Sequence, residues 1–512
     1  MRITNNWIIV DDNKSLDVSN LKLELTVKSN NRIYGRNGKV YGSANKHEHL
    51  YFAKDRKLYI PRGLLFLIED FLQKSKIEDF QNKTALSNNA IDFSKDEIKS
   101  CLSGITLSDE QYIAVRKILY AKRCLVQMPT GSGKSEVMCA VIKLLERYLG
   151  KTPTTLILEP STRLVVGTIE RLEKYGIDCL SYNKVRKIED NIVTVAHPRS
   201  LGNDLSKYPN ILENVSVLFG DESHHLSSPS FRKPTYNMSN LEMAVGLSAS
   251  AISNDHIQGT KIKDFSMKEL LILGSTGKLV LNITAEHFIN KGILAKPVLI
   301  RINNPADESL EGHEQNDWHA VRDLKLESDK RVRLVSYVAK FFSDKNRKVL
   351  ILVNTISWAE KIMKILNEYN LSNVSRCSYG GNVFMKWEDN KCVQTNEDVF
   401  KKYSEGSIKI LIGTTHIYEG VDIPSLDTII LAYGGKGERL QVQGIGRALR
   451  KTKSGKYAYL VDFTDHEDVV LSKHSKLRMT RYKELIGVPD SMTFDFVETK
   501  DLDRIFSSLE DN

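Results

Sequence analysis

The chain has 512 residues, 41% hydrophobic and 27% charged, with only 12 prolines. It can bury several cores, since single cores stop growing beyond about 250 to 300 residues. No stretch approaches the ~18 apolar residues of a membrane span, and Trp7-Ile8-Ile9-Val10 runs straight into Asp11-Asp12. The expectation is a chain with neither signal peptide nor membrane anchor. Six cysteines (101, 124, 139, 179, 377, 392) with no CxxC pair give neither a disulfide framework nor a zinc knuckle, which fits a reducing cytoplasm.

The net charge of +9 suits an anionic partner, and its distribution sharpens the point. Residues 1 to 62 hold 12 Lys or Arg against 6 Asp or Glu, interleaved with Trp7, Tyr34, Tyr41, Tyr51, Phe52 and Tyr59. Such a mixture reads as a nucleic-acid-contacting surface or as a solvated basic face.

In chain order, Leu21 to Val27, Arg32 to Tyr34, Lys39 to Tyr41, Leu50 to Phe52 and Lys57 to Ile60 read as short strands between Asn/Gly turns. Pro61 then opens a helix carrying Leu64, Leu65, Ile68, Phe71 and Leu72. A basic α+β domain over 1–75 and a polar linker over 76–103 follow from this pattern. Next come compact apolar runs alternating with amphipathic helices: Cys124 to Gln127, Thr154 to Leu158, Ile192 to Val195 and Val215 to Phe219. A second series runs through Val349 to Val353, Ile408 to Ile412, Thr428 to Leu431 and Tyr457 to Val461. Both series predict parallel sheets covered on two faces, hence an α/β fold with domains at 104–302 and 303–468. Residues 469–512 read as a helical tail. In it, His474, Arg478 and Tyr482 form one stripe that either touches a nucleic-acid backbone or packs on the second domain.

The decisive segment follows the first strand: Met128-Pro129-Thr130-Gly131-Ser132-Gly133-Lys134-Ser135 and then a helix. Glycines let consecutive N–H groups and the helix N-terminus face phosphates. Thr130, Gly131, Ser132 and Gly133 form the cradle, Lys134 supplies a cation to the β- and γ-phosphates, and the Ser135 hydroxyl is a ligand for Mg²⁺. The first position of the P-loop pattern is Met128 rather than Gly. Downstream, Val215 to Phe219 ends in Gly220-Asp221-Glu222-Ser223-His224. Two carboxylates thus stand at the C-terminal end of a buried strand, where open α/β sheets bind ligands. Asp221 suits Mg²⁺ and Glu222 the attacking water.

Asp221-Glu222-Ser223-His224 resembles the DExH box of superfamily 2 helicases, and other motifs of that family follow in order. Leu107-Ser108-Asp109-Glu110-Gln111 resembles the glutamine motif, which implies that Gln111 reads adenine. Glu159-Pro160-Ser161-Thr162-Arg163 and Val195-Ala196-His197-Pro198 resemble motifs Ia and Ib, implying strand contacts by Thr162, Arg163 and His197. Ser248-Ala249-Ser250 resembles the Ser-Ala-Thr motif, so Ser248 and Ser250, with His224, are expected to couple ATP state to strand grip. Leu352-Val353-Asn354-Thr355 resembles motif IV, and Gly413-Thr414-Thr415 through Glu419-Gly420-Val421-Asp422-Ile423-Pro424 resembles motif V. These imply strand contacts by Thr355, Thr414 and Thr415, with Asp422 beside the nucleotide. Gln443-Gly444-Ile445-Gly446-Arg447-Ala448-Leu449-Arg450 is similar to motif VI, whose Gln443, Arg447 and Arg450 would reach the γ-phosphate. The two arginines are three apart and so share a helical face.

The resemblance spans about residues 104 to 465 and implies two RecA-like motor domains, ATP and Mg²⁺ as cofactors, and closure of one domain on the other. The end of the small N-terminal domain, Lys57-Leu58-Tyr59-Ile60-Pro61-Arg62-Gly63-Leu64, narrows it toward phage helicases of the UvsW type. Those act on branched DNA such as forks, Holliday junctions and displacement loops, in recombination, repair and replication. This implies single- or double-stranded DNA as partner, a monomer on DNA, and a place in the cytoplasm, that of the host cell if phage-encoded. Three alternatives stay open: a duplex translocase that separates no strands, an RNA helicase, and a nucleotide-switched DNA-binding scaffold. Pro489-Asp490 with Glu498-Thr499-Lys500 imitates a nuclease metal signature, but too few residues remain for the ~100-residue core such a site needs.

Overall fold

The computed structural model describes residues 2–11, 16–34, 40–74, 91–304, 326–369, 371, 374–378, 383–389, 391–395, 398–414, 426–434, 457–465, 469–486 and 488–510. The chain divides into two compact units. One comprises residues 1–128 with 133–283, the other 129–132 with 284–512.

The first unit opens with a small sheet. Strands β1 (Arg2–Ile3) and β2 (Trp7–Asp11) are followed by α1 (Leu16–Glu24), the paired β3 (Thr26–Tyr34) and β4 (Val40–His49), then β5 (Phe52–Lys54) and β6 (Lys57–Pro61). Strands β1, β2, β6 and β5 form one antiparallel sheet in that order. The stretch from Leu21, expected as a strand, is helical as far as Glu24. Val18, Leu21 and Leu25 recur at helical spacing and are buried, whereas Leu23, which strand alternation would bury with Leu21, is 72% exposed. A 3₁₀ turn, Arg62–Leu64, leads into α2 (Leu65–Lys74). Most of the expected linker lies outside the described residues. Its end forms α3 (Lys95–Cys101), started by a reciprocal cap between Ser94 and Glu97.

Next come α4 (Asp109–Ala121), β7 (Arg123–Gln127), α5 (Lys134–Leu149), β8 (Thr155–Leu158), α6 (Thr162–Lys174), β9 (Cys179–Ser181), α7 (Tyr182–Val185), β10 (Val193–Ala196), α8 (Pro198–Leu205), β11 (Val217–Gly220), α9 (Pro229–Thr235), β12 (Met243–Ser248), α10 (Met267–Ser275) and β13 (Lys278–Asn282). The sheet order is β13-β7-β12-β11-β8-β10-β9, every pairing parallel. Strands β8, β10, β11 and β12 are buried at every position, which is why they read as mostly apolar runs without charged residues.

The N-terminal sheet and this α/β body share one core. Ile8, Val10, Leu58, Ile60 and Leu64 cluster with Phe265, Leu270, Ile272 and Leu273. The contact is close because it is made by glycines: a Cβ on Gly63 would lie 2.1 Å from the Leu273 carbonyl oxygen, and one on Gly274 would lie 3.1 Å from the Pro61 Cβ. Polar ties reinforce it, with Asn6 Nδ2 donating to the Met238 carbonyl at 2.5 Å and the buried Arg123 guanidinium donating to the carbonyls of Asn5 and Leu241.

The second unit is a nine-stranded sheet built from β14 (Lys296–Asn303), β15 (Val349–Val353), β16 (Val374–Ser378), β17 (Val383–Glu388), β18 (Lys391–Thr395), β19 (Ile410–Thr414), β20 (Thr428–Leu431), β21 (Tyr457–Thr464) and β22 (Thr493–Val497). Its order is β18-β17-β16-β19-β15-β20-β21-β14-β22, parallel except where β16, β17 and β18 meander antiparallel at one edge. The expected tail supplies helices Val469–Ile486 and Leu502–Glu510 and, between them, β22, which pairs with β14. The stripe on Val469–Ile486 faces inward: Arg478 Nε donates to Asp462 Oδ2 at 2.9 Å and the Tyr482 hydroxyl to the same oxygen at 3.0 Å. Of the two readings left open for that stripe, packing on the second domain holds. Of the nuclease-like residues, Asp490 pairs with Lys483 and Glu498 accepts from Asn303, both at the surface.

Candidate functional site

The site grows from the C-terminal edge of the first sheet. Strand β7 delivers Met128, fully buried, whose N–H donates to the Ser248 carbonyl at 3.0 Å. Gly131 and Gly133 take φ of +84° and +82°, a left-handed backbone that bends the chain into a loop before α5. At Gly133 a side chain is also excluded by space, because a Cβ would meet the Gln111 amide nitrogen at 1.9 Å. Thr130 is half-buried and Ser132 buried. Lys134 opens α5 with its Nζ donating to the Met128 carbonyl at 3.2 Å, so the ammonium folds back over the loop, and Ser135 follows it, half-buried.

Gln111 is held by two elements. Its side-chain oxygen accepts from the Ser108 N–H at 2.8 Å, completing the reciprocal cap of α4, while its amide nitrogen donates to the Gly133 carbonyl at 3.4 Å. The glutamine expected to read adenine therefore also braces the phosphate loop.

Two strands over, Gly220 of β11 lies beside Leu158 of β8 and Gly246 of β12. The Asp221 N–H donates to the Leu158 carbonyl, and Asp221 Oδ1 accepts from the Glu222 N–H at 2.9 Å. Glu222 itself adopts φ +44°, a costly conformation for a side-chain-bearing residue. Burial, then the neighbouring Glu222 charge, pushes Asp221 up to about 6 against the pull of Lys134. Glu159, fully buried after β8, is raised well above the carboxylate range by burial and by Asp221, though the Thr168 hydroxyl donates to it at 2.6 Å. Three carboxyls are thus concentrated at one sheet edge, short of positive charge.

The coupling residues are brought together. His224 Nδ1 lies 3.4 Å from Glu222 Oε2 and 3.2 Å from the Ser248 hydroxyl, which in turn accepts from the Ser250 N–H at 3.3 Å. His225 stacks between His224 and Phe231. Gln127 adds a brace that the motifs do not signal: its amide exchanges two hydrogen bonds with the backbone of Ile252, at 2.9 and 3.2 Å.

In the first unit, the expected strand-contacting residues fall on the same sheet edge. Exposed Thr162 and half-buried Arg163 open α6 after β8, and His197 precedes α8 after the adjacent β10. Burial and Arg199 lower the His197 pKa. In the second unit, Thr355 lies two residues beyond the end of β15 and Thr414 ends the neighbouring β19. Thr355 caps its helix through the Trp358 N–H and donates to Glu327 at 2.6 Å, while Thr414 is buried. Thr415, Asp422, Gln443, Arg447 and Arg450 lie outside the described residues. Sequence reasoning gave no role to Glu159 or Gln127. The signal for Glu159 was a carboxylate directly after the apolar run Leu156-Ile157-Leu158.

A glycine-built phosphate loop with its lysine, an acid pair two strands away, and a histidine–serine relay joining them define a P-loop motor. The family pattern described as "Type III restriction enzyme, res subunit" matches residues 104–252, and "Helicase conserved C-terminal domain" matches 329–452. The chain belongs to the superfamily 2 helicases, ATP-driven motors that act on nucleic acids. It is 27% identical over 381 residues to the DNA 3'-5' translocase XPB2 of Sulfurisphaera tokodaii, covering 68% of this chain and 79% of the relative. It is 22% identical over 439 residues to the ATP-dependent DNA helicase uvsW of Enterobacteria phage T4, covering 81% of each. Among solved structures, Saccharomyces cerevisiae Dbp5 bound to RNA and ADP BeF3 matches with a TM-score of 0.52 at 16% identity, over 79% of this chain and 93% of that one, a likeness of fold. Among the described residues, no helix is long and apolar enough to cross a membrane.

Proposed function

We propose that this chain is an ATP-dependent DNA helicase that works on branched DNA, in recombination, repair or replication, as a monomer on its strand and in the cytoplasm. The observation that carries the motor reading is the run from Glu222, whose Oε2 lies 3.4 Å from His224 Nδ1, through His224, hydrogen-bonded to Ser248, to Ser250. It ties a water-positioning carboxylate to the loop after β12, which a nucleotide-switched scaffold would not require. DNA is favoured over RNA by the likeness to XPB2 and uvsW, both named for DNA, over most of their lengths.

In this reading the loop N–H groups of Thr130 to Gly133 and the Lys134 ammonium hold the phosphates, and Gln111 fixes the base end. The crowded carboxyls fit a divalent cation, because Asp221 is held above its ordinary range by burial and by Glu222. Ser135 and Asp221 would hold Mg²⁺, which when bound screens phosphate charge. Glu222, oriented by its left-handed backbone and by His224, accepts a proton from the attacking water. The helicase resemblance gives Gln443, Arg447 and Arg450 a role at the γ-phosphate, Asp422 a role at the nucleotide, and Thr162, Arg163, His197, Thr355, Thr414 and Thr415 roles on the strand backbone. Grip of this kind reads no sequence.

ATP hydrolysis measured without nucleic acid, with single-stranded DNA, forked DNA, a four-way junction and duplex RNA tests the proposal. Stimulation greatest with fork or junction is expected. Stimulation by RNA alone would overturn the DNA assignment. The name of XPB2 supports a second reading, a translocase that moves on duplex without parting it. Strand separation on a forked substrate discriminates between the two.

A further inference from the structure

The N-terminal sheet has two faces, and its register sorts them. Ile9 faces Tyr59 across β2 and β6, and Tyr59 faces Phe52 across β6 and β5. One row along, Asp11, Lys57 and Lys54 lie opposite one another, and in the other direction Trp7 faces Pro61. Side chains alternate along a strand, so these residues share one face, while Ile8, Val10, Leu58 and Ile60 share the other. The second set is buried against the α/β body. Of the first set, Pro61 is buried beside Gly274, while Asp11, Phe52, Lys54 and Lys57 are exposed and look outward.

That outward face is aromatic. Phe52 lies flat on Tyr59, centroids 4.7 Å apart and planes at 1°, and is still 44% exposed. Trp7 meets Phe52 edge-on at 5.0 Å and leans on Tyr236 at 4.7 Å. Tyr236 directly follows α9, so the α/β body extends the aromatic row. All three residues of β5 are exposed. The hairpin joining β5 to β6 turns through Asp55 and Arg56, at φ +50° and +56°, and sets exposed Lys54, Arg56 and Lys57 at one end of the row. Among the described residues, no carboxylate pairs with any of these three cations.

A flat ring with an open face, beside exposed cations that form no ion pair among the described residues, complements a base and its phosphate. In a duplex each base face is covered by its neighbours, so only an unpaired base gains from such a ring. We propose that this face is a stacking platform for unpaired bases of a nucleic-acid strand, with Phe52 receiving a base and Lys54, Arg56 and Lys57 meeting the phosphates. The proposal rests on the helicase reading and adds to it a holding point for the unpaired arm of a fork.

The test uses the full chain without nucleotide. Fluorescence anisotropy measures affinity for labelled oligo(dT), for a fork with unpaired arms and for blunt duplex, at one salt concentration. Stacking is worth enough that Phe52→Ala should weaken oligo(dT) and fork binding about 5- to 100-fold. Blunt-duplex affinity and thermal midpoint should stay unchanged, and Phe52→Trp should restore binding. Arg56→Glu, at an exposed hairpin tip, gives a second variant that does not depend on ring packing and should weaken both substrates in a salt-dependent way. Unchanged oligo(dT) affinity in Phe52→Ala, or equal loss on blunt duplex, overturns the platform. Retained binding in Phe52→Ala together with capture of a specific protein by the same face would reassign it to a protein partner. ATP hydrolysis by the wild-type chain is measured in parallel: a chain that hydrolyses on fork DNA yet shows no Phe52 effect loses the platform and keeps the helicase. A chain that no nucleic acid stimulates loses the reading beneath both.

Discussion

Gly63→Ala is the smallest change that tests whether the N-terminal sheet is part of the motor body. The added Cβ would sit 2.1 Å from the Leu273 carbonyl oxygen, 2.6 Å from that of Gly274 and 2.8 Å from the Gly274 carbonyl carbon. All three are backbone atoms, so the 3₁₀ turn and α10 must separate by about 1 Å, a gap that forfeits roughly a quarter to a half of each dispersion contact. The affected interface includes Leu64, Ile60 and Leu273, all but fully buried. Overpacking of this kind costs about 1 to 3 kcal/mol. For a folding unit of this size it should lower the thermal midpoint by roughly 2 to 12 °C. Gly167→Ala, inside α6 with nothing within 4 Å of its added Cβ, is the control and should be neutral or slightly stabilising. Circular dichroism melts, with basal ATP hydrolysis read alongside, provide the assay. A Gly63→Ala melt within a degree of wild type would refute the shared core.

Other outcomes follow from the site. Lys134→Ala and Glu222→Gln should each abolish nucleic-acid-stimulated hydrolysis, by at least about 100-fold, and turnover retained in both would sink the assignment. Asp221, pushed up to about 6, keeps a proton in the folded protein at pH values where the unfolded chain has released it. Stability of the unliganded protein should therefore fall as pH rises from about 4 to about 6. Asp221→Asn removes that penalty and should raise stability near pH 7 by about 1 to 2 kcal/mol while ending hydrolysis; a lower melting point would contradict the electrostatic argument. Arg478→Ala would leave Asp462 buried without its guanidinium. Urea unfolding of the second unit should show a loss of about 3 to 5 kcal/mol, and a loss under 1 kcal/mol would mean that the tie is idle.

The parallel strands were legible because burial on both faces turns them into short apolar runs with no alternation, as at Val217–Gly220 and Val349–Val353. The phosphate loop was legible because its glycines act locally. Elements that depend on partners were not. Helix α1 alternates Leu and charged residues at its end and mimics a strand, and only the exposure of Leu23 reveals the helix. The β17 and β18 hairpin and β22 are short, mixed in polarity and placed at sheet edges, where neither period is strong. Glu159 and Gln127 gain their roles from sheet order, which brings β8 beside β11 and β7 beside β12. The stripe of His474, Arg478 and Tyr482 could be seen, but the direction it faces was set by Asp462 on β21.

The placement of β14 carries a consequence for synthesis. Lys296 faces Tyr457 and Leu299 faces Thr493, so the strand that begins the second sheet has only late-made neighbours. At roughly 5 to 20 residues per second on the ribosome, its apolar run Val298-Leu299-Ile300 waits about ten seconds or more for a partner. The first sheet has all its strands once Asn282 has been added. Nascent chains should thus carry a finished first unit trailing an unpaired sticky strand, an interval in which a chaperone that shields strand edges would raise the yield of active motor.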